Sequence, residues 1–381
     1  SIHVGTDIGS TIQAQRGTRI FARSKNTTHK CILSFGTGKK TEPEKTTPKK
    51  MSKILITGNA GMIGTVLTHH FLQRGHTVVG VDNLSGGFRH NVPKEVSFHR
   101  YDIRHAPSIE KVFNDESPEY VIHCAAYAAE VLSPFIRNFN YSNNVVGSMN
   151  IINACINHDV KKVINFSSIA TYGELVPPFK ETDTRKPKDC YGIAKLAVEM
   201  DLQEAYEHFG LRYSSILPHN VISKYQNYYD RYRNAIAIWI RQCLTNENIT
   251  IYGDGLQKRS FSDCQFLCQP IEKLLTEFDG EIFNVGADKE YTIREAAEIV
   301  LRVGQKLTGT KSQIVYLEPR REVKIATADH TKAKTLLGFE DQTNLEALIE
   351  EMYLYAMNLP KLEVEYMDYE INKNMYSFWK K

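Results

Sequence analysis

From Met51 onward the chain alternates between two hydrophobic rhythms. Lys53 to Thr57 is a short, almost wholly apolar run; a glycine-rich turn follows, and then Met62, Ile63, Val66, Leu67 and Phe71 recur at helical spacing. That order predicts a strand, a tight turn and an amphipathic helix. The pattern repeats, with strands predicted at Thr77 to Val81, Val96 to Tyr101, Tyr120 to Cys124, Lys162 to Phe166, Tyr213 to Leu217 and Glu281 to Val285, and helical spacing over Asn143 to His158 and Tyr191 to Phe209. Short strands alternating with helices predict an α/β fold, a doubly wound parallel sheet covered on both faces. From about Ile222 the alternation weakens and Tyr225, Tyr228, Tyr229, Tyr232 and Trp239 cluster, which predicts a smaller C-terminal lobe. The expected division is a nucleotide-binding domain over 51–222 that also receives about 264–287, and a mainly substrate-binding lobe over 223–381.

Residues 1–50 break with this text. They are rich in Ser, Thr, Lys and Arg, hold ten Lys/Arg against three acids, and show no sustained periodicity, so a flexible N-terminal extension is expected. Such a composition suits a transit-like presequence, or equally an artificial or mistranslated leader. Without it the chain carries 37 Lys/Arg against 41 Asp/Glu, so the positive sign of the formal +3 comes from the extension and the folded part offers no basic field for nucleic acid. No apolar run is long enough to span a bilayer. Seven cysteines without a CxxC pair argue against a disulfide framework and for a reducing compartment, the cytoplasm, or an organelle if the presequence is genuine. Cys264 and Cys268 lack a second pair or a nearby His, so no metal site is expected.

Gly58, Gly61 and Gly64 lie between the first strand and the first helix, with Met62 and Ile63 among them. There the first glycine turns the chain, the second lets a pyrophosphate approach the backbone, and the third lets helix pack on strand. Asp82, ending the second strand with Asn83 beside it, is placed to accept hydrogen bonds from a ribose and to repel a 2′-phosphate. NAD is therefore the expected cofactor, although Arg89 stands close by in sequence. Tyr191 and Lys195 are one helical turn apart, so the ammonium is expected to stabilise the phenolate and to draw the phenol down from its usual pKa of about 10. The strand at Lys162 to Phe166 runs into Ser167 and Ser168, whose hydroxyls emerge at the carboxyl edge of the sheet. Taken alone, YxxxK is more often a surface Tyr and a solvated Lys; its place after a Ser-bearing strand in a dinucleotide fold is what gives it weight.

Together these motifs resemble the extended short-chain dehydrogenase/reductase superfamily, a Rossmann fold, and in particular its nucleotide-sugar epimerase/dehydratase branch. The likeness runs from Met51 to about Phe339 and includes Asp102-Ile103, His123 to Ala126, the Ser168/Tyr191/Lys195 set, Asn220 in the PHNV turn, the stretch from Ile251 to Arg259, Asn284 to Gly286, and Arg320 followed by Ala328-Asp329. The resemblance implies that Asp102 and Ile103 border the adenine, that Ala125, Ala126 and Asn144 line the cofactor cleft, and that Pro218 flanks the nicotinamide. Asn220, Asn234, Tyr252, Arg259 and Arg320 are implied to hold the nucleoside diphosphate. A homodimer paired through the helices at Asn143 to His158 and Tyr191 to Phe209 is likewise implied.

Within that branch, dehydratases and decarboxylases carry an acid just after the hydroxyl residue, where this chain has Ile169 and Ala170, and a group of 3,5-epimerase/reductases carries Cys. The resemblance thus implies a 4-epimerase acting on a nucleotide-sugar, a UDP-sugar being favoured. Tyr191 would remove the 4-hydroxyl proton while hydride passes from C4 to NAD, and the 4-keto sugar would turn over before hydride returns. Lys195 would lower the Tyr191 pKa and bind the ribose, and Ser168 would orient the hydroxyl. A 4,6-dehydratase or decarboxylase is the alternative on the same fold, and an NAD-sensing binding protein the alternative without chemistry. Ala326 falls near a position that restricts N-acetyl sugars when it is a large aromatic, so a pocket open to such sugars is a further expectation. Leu217 and the Ser262 to Gln265 run depart from the branch's usual residues on the substrate side.

Overall fold

The computed structural model describes residues 51–360 and 368–379, so the expected N-terminal extension lies outside the described residues. Strands that are apolar along their length have no face to show to water, and here they show none. In β1 (Lys53–Thr57) every residue after Lys53 is buried. There follow α1 (Met62–Gln73), β2 (Thr77–Val81), β3 (Ser97–His99), α2 (Ala106–Glu116), β4 (Tyr120–His123), α3 (Arg137–Tyr141), α4 (Gly147–Asn157), β5 (Lys162–Phe166), α5 (Cys190–Phe209) and β6 (Tyr213–Pro218). The rest of the chain adds β7 (Val221–Ile222), α6 (Ala235–Leu244), β8 (Ile249–Tyr252), β9 (Lys258–Ser260), β10 (Ser262–Asp263), α7 (Cys268–Leu274), β11 (Glu281–Val285), β12 (Glu290–Thr292), α8 (Ile293–Thr308), β13 (Ile314–Leu317), β14 (Ile325–Ala326) and α9 (Leu345–Ala356).

Seven of these strands form one parallel sheet in the order β11-β6-β5-β4-β1-β2-β3. In register, Ile54 of β1 lies between Val78 of β2 and Tyr120 of β4. One face of the sheet is covered by α1, α7 and the segment 333–339 through Leu67, Phe71, Ile271, Leu274, Leu337 and Phe339. The other is covered by α2, α4 and α5 through Val112, Phe113, Ile151, Cys155, Val198 and Leu202. A second apolar core joins α6, α8 and α9 around Trp239, Ile240, Val300 and Met352. Helix α8 starts at a reciprocal cap: the Thr292 hydroxyl accepts the Glu295 amide and the Glu295 carboxylate accepts the Thr292 amide.

The predicted elements are all present, with two informative differences. The strand expected over Val96 to Tyr101 pairs only at Ser97–His99, because β3 is an edge strand whose flanks turn away into loops. The helix expected from Asn143 starts earlier, at Arg137, and is interrupted at Ser142–Val146 by a wider π-turn before α4 resumes. Such turns re-aim side chains relative to an ordinary helix. Farther along, residues 368–379 lie across the loop after β4: Met375 and Trp379 pack with Ala129, Leu132 and Ile136, and the Glu370 carboxylate accepts the Asn138 and Phe139 amides at 2.7 Å each. Among the described residues no helix is long and apolar enough to cross a membrane.

Ile164 sits at the centre of the sheet with no exposed surface. Ile164→Ala should cost about 3 kcal/mol of stability through lost transfer energy and the cavity left behind. Urea unfolding followed by circular dichroism should show a lower midpoint at unchanged slope.

Candidate active site

A cleft opens at the carboxyl edge of β1, β4 and β5, and its wall begins with the glycine turn. Gly58 adopts φ +68°, and a Cβ there would stand 2.9 Å from the Ala125 backbone. A Cβ on Gly64 would fall 2.2 Å from the Gly58 carbonyl oxygen, so only glycine lets α1 sit this close to β1. Gly61 meets nothing nearer than that same oxygen at 3.2 Å and faces the cleft at the start of α1. Asp82 braces the turn from β2: its carboxylate accepts the Ala60 amide at 3.1 Å and the Leu84 amide at 2.7 Å. Burial raises its pKa and these backbone donors pull it back.

Asn83, Ile103, Ala125, Ala126, Met62, Ile63 and Pro218 also line the cleft. Asp102 does not. Its carboxylate faces Arg104, in contacts of 3.0 and 2.7 Å, and the Asn83 amide, and this pairing holds it at a pKa of about 2. The flanking Tyr101 and Ile103 take the cleft positions instead. Arg89 is likewise engaged elsewhere, donating to the Val92 carbonyl and lying over the Phe98 ring. Asn144 is turned inward, bonding both the amide and the carbonyl of Tyr127 and the Asn140 side chain, while Asn143 faces the cleft. The π-turn at Ser142–Val146 accounts for this exchange of neighbours.

Opposite the glycine turn stand Ser168, Tyr191 and Lys195. Ser168 follows β5, its hydroxyl accepts the Ala170 amide at 3.1 Å, and its polarity acts to lower the pKa of the Tyr191 phenol. Helix α5 is capped by Asp189, which accepts the Gly192 amide at 2.8 Å, so Tyr191 occupies the first turn and Lys195 the next. The Lys195 ammonium donates to the Phe166 carbonyl at 2.7 Å and lies 5.9 Å from the centre of the Tyr191 ring. Burial lowers the Lys195 pKa to about 8. Burial, then the charge of Glu130, pushes the Tyr191 phenol well above its ordinary value, with Ser168 opposing. The direction is the reverse of that expected from spacing, because desolvation of the buried phenol is the largest influence on it.

On the substrate side Asn220 and Asn234 line the cleft, both in the left-handed region, at φ +41° and +62°. Backbone strain of this kind concentrates at ligand sites. Arg233 joins them, tied to Asp230 at 2.6 Å and lying 4.4 Å over the Tyr127 ring. Tyr252, Arg259 and Arg320 come together with one another but not in the cleft lining. Arg320 stacks 4.0 Å over the Tyr252 ring, Phe378 packs on the same ring at 4.5 Å, and Arg259 pairs with Glu322 at 3.3 Å and donates to the Val323 carbonyl. Ala326 pairs with Arg259 in the β9–β14 ladder, again outside the lining. Glu130, Asn143, Arg233 and Gln226 are cleft residues the sequence did not single out. The stretch Asp230 to Asn234 did carry a signal, two basic residues beside an aromatic and an asparagine, whereas nothing local marks Glu130 or Gln226.

These residues fit a dinucleotide. A bare Gly61 beside the N-terminus of α1 leaves backbone donors for a diphosphate, and Gln226, buried and with both amide atoms unpartnered, lines the cleft as a group awaiting a polar ligand. Among the described residues no cluster of His, Cys, Asp or Glu could hold a metal ion.

Residues 54–286 match the model of the NAD dependent epimerase/dehydratase family. The chain is 30% identical over 332 residues to a UDP-glucose 4-epimerase of Halalkalibacterium halodurans, covering 81% of this chain and 96% of that one. It is also 30% identical over 317 residues to a UDP-glucuronate 4-epimerase of Thermodesulfobacterium geofontis, covering 78% and 93%. The crystal structure of the Thermotoga maritima UDP-glucose 4-epimerase with UDP-glucose superposes with a TM-score of 0.75 at 31% identity, covering 80% of this chain and 98% of that one. The chain belongs to the NAD dependent epimerase/dehydratase family, and its cofactor is NAD.

Because Asp82 accepts two backbone amides, Asp82→Ala should destabilise the fold by about 1–3 kcal/mol and weaken NAD at least tenfold. Thermal melts with and without NAD, with titration calorimetry, check both effects.

Proposed function

We propose that the protein is an NAD-dependent UDP-sugar 4-epimerase. One observation carries the choice of reaction: Tyr191 and Ser168 line the same cleft as the glycine turn, while the two positions after Ser168 are the buried, uncharged Ile169 and Ala170. Dehydration or decarboxylation would call for an acid or base there; inversion at C4 needs only one residue to take and return a proton. The homologous UDP-glucose and UDP-glucuronate 4-epimerases and the solved epimerase with UDP-glucose support the same substrate class.

Gly58, Gly61, Gly64 and Asp82, with Ala125, Ala126 and Pro218, would hold the NAD, which when bound accepts and returns the hydride of C4. Tyr191 takes the 4-hydroxyl proton and gives it back. Ser168, in the same cleft, would orient the hydroxyl. Lys195 supplies positive charge beside the phenol and is positioned for a ribose. Asn220, Asn234 and Arg233, which line the cleft, would hold the diphosphate of the substrate, a guanidinium being well matched to phosphate oxygens. The cluster of Tyr252, Arg259 and Arg320 lies next to this region and would serve the nucleoside end.

A homodimer is part of this reading. Ile193 and Met200 lie seven residues apart on α5 and are 44% and 66% exposed, and Val146, just before α4, is 52% exposed. Large apolar groups on two neighbouring helices make a natural self-pairing face. The cytoplasm is the proposed compartment, in keeping with six free cysteines among the described residues.

Incubating the pure protein with UDP-glucose and UDP-galactose, and reading products by NMR, should show interconversion at constant mass; loss of water or carbon dioxide would refute the reading. Tyr191→Phe should lower turnover about 1,000-fold with NAD still bound. Met200→Glu should convert a dimer to a monomer in light scattering coupled to gel filtration.

A further inference from the structure

The cleft contains one carboxylate that the reaction just described does not use. Glu130 lies on the loop after β4, and its side chain lines the same cavity as Tyr191 and Ser168. It is held there by its backbone. The Ser133 hydroxyl donates to the Glu130 carbonyl at 2.8 Å and accepts the Tyr191 amide at 3.2 Å, so a single hydroxyl ties the Glu130 main chain to that of the reactive tyrosine. The carboxylate itself has no hydrogen-bond or ion-pair partner among the described residues, and it faces the cavity. Arg259, whose positive charge acts on Glu130, is engaged by Glu322 and backbone carbonyls. Asp189, Glu322 and the Tyr191 phenol surround Glu130 with further negative or ionisable groups.

A carboxylate that faces a cavity with its acceptor positions unused is free to meet a donor group on a ligand. The reacting sugar is the ligand that must lie within reach of Tyr191. We propose that Glu130 is a specificity-determining residue: it accepts hydrogen bonds from the hydroxyl or amino groups of a neutral or amino sugar, and it excludes sugars that carry a carboxylate. The repulsive half matters most. A uronate would set a second carboxylate against Glu130, with Asp189 and Glu322 adding to the repulsion and Arg259 already engaged with Glu322. This rests on the 4-epimerase reading, and it divides the family's substrates: the relatives include both a UDP-glucose and a UDP-glucuronate 4-epimerase.

Burial and the neighbouring Asp189 raise the Glu130 pKa to about 7, opposed by Arg259. Below that pH the side chain is neutral; above it the charge is present. Discrimination against a uronate should therefore grow as pH rises through about 7.

The test compares the full chain and Glu130→Gln, both loaded with NAD, by titration calorimetry with UDP-glucose and UDP-glucuronate at pH 6 and pH 8, and by turnover of the same two sugars. Glutamine keeps the acceptor oxygen and removes the charge. Expected results are an affinity for UDP-glucuronate at least tenfold below that for UDP-glucose in the wild type at pH 8, a gap that narrows at pH 6, and a gap in Glu130→Gln that is about tenfold smaller and no longer depends on pH. Equal discrimination in wild type and variant would overturn the proposal. So would a wild-type product that has lost water only when Glu130 is present, which would make the residue an acid/base instead. Because binding is read separately from turnover, an absence of epimerised product would count against the 4-epimerase reading and leave the affinity comparison to decide the role of Glu130.

Discussion

A parallel strand must be followed by a crossing to one face of the sheet or the other, and the crossings diverge at β1: β2 lies on one side of it and β4 on the other. Between those two strands the carboxyl edge is left uncovered, because neither connection can close over it. The loops that meet there have backbone groups to satisfy and no helix to bury them. The glycine turn, the loop after β4 and the serines after β5 all empty into that gap, and the second lobe supplies the far wall. The cleft is thus a consequence of strand order before it is a matter of any particular side chain.

What the cleft does with charge follows from its shape. Enclosure disfavours ions whatever their sign, so Tyr191 is held protonated and Lys195 is eased toward neutrality, both against the trend expected for a phenol beside an ammonium. A tyrosine and a lysine prepared in this way are sensitive to whatever charge arrives. A positively charged ring would push the phenol toward release of its proton where, in the proposed reaction, a sugar hydroxyl would lie.

Most of the sheet, and the Ser168, Tyr191 and Lys195 set, could be read from the chain because their signals are local: apolar runs for the strands, one-turn spacing for the pair on α5, a hydroxyl following an apolar strand. The glycines were legible for the same reason. The failures were also physical. Asn144 and Asn143 traded places because an extra residue in the helical turn rotates everything after Tyr141, and no pattern of apolar positions announces that. Asp102 gave way to its neighbours because Arg104, two residues on, offered it a bidentate partner. Tyr252, Arg259 and Arg320 come from different parts of the chain and found each other, and the segment 368–379 found Tyr252 as well, through Phe378. Glu130 was invisible since a lone acid in a loop looks like any solvated charge.

Asp82 is a brace and, in the function proposed for this cleft, also a reader. The oxygens that would meet an adenosine ribose are the ones that already hold the amides of Ala60 and Leu84, and Ala60 belongs to the glycine turn. A lineage drifting toward the phosphorylated dinucleotide could not simply exchange this acid for a smaller or basic residue. It would first have to find new acceptors for two main-chain donors, so the preference for one coenzyme is protected by the architecture of the loop that grips it.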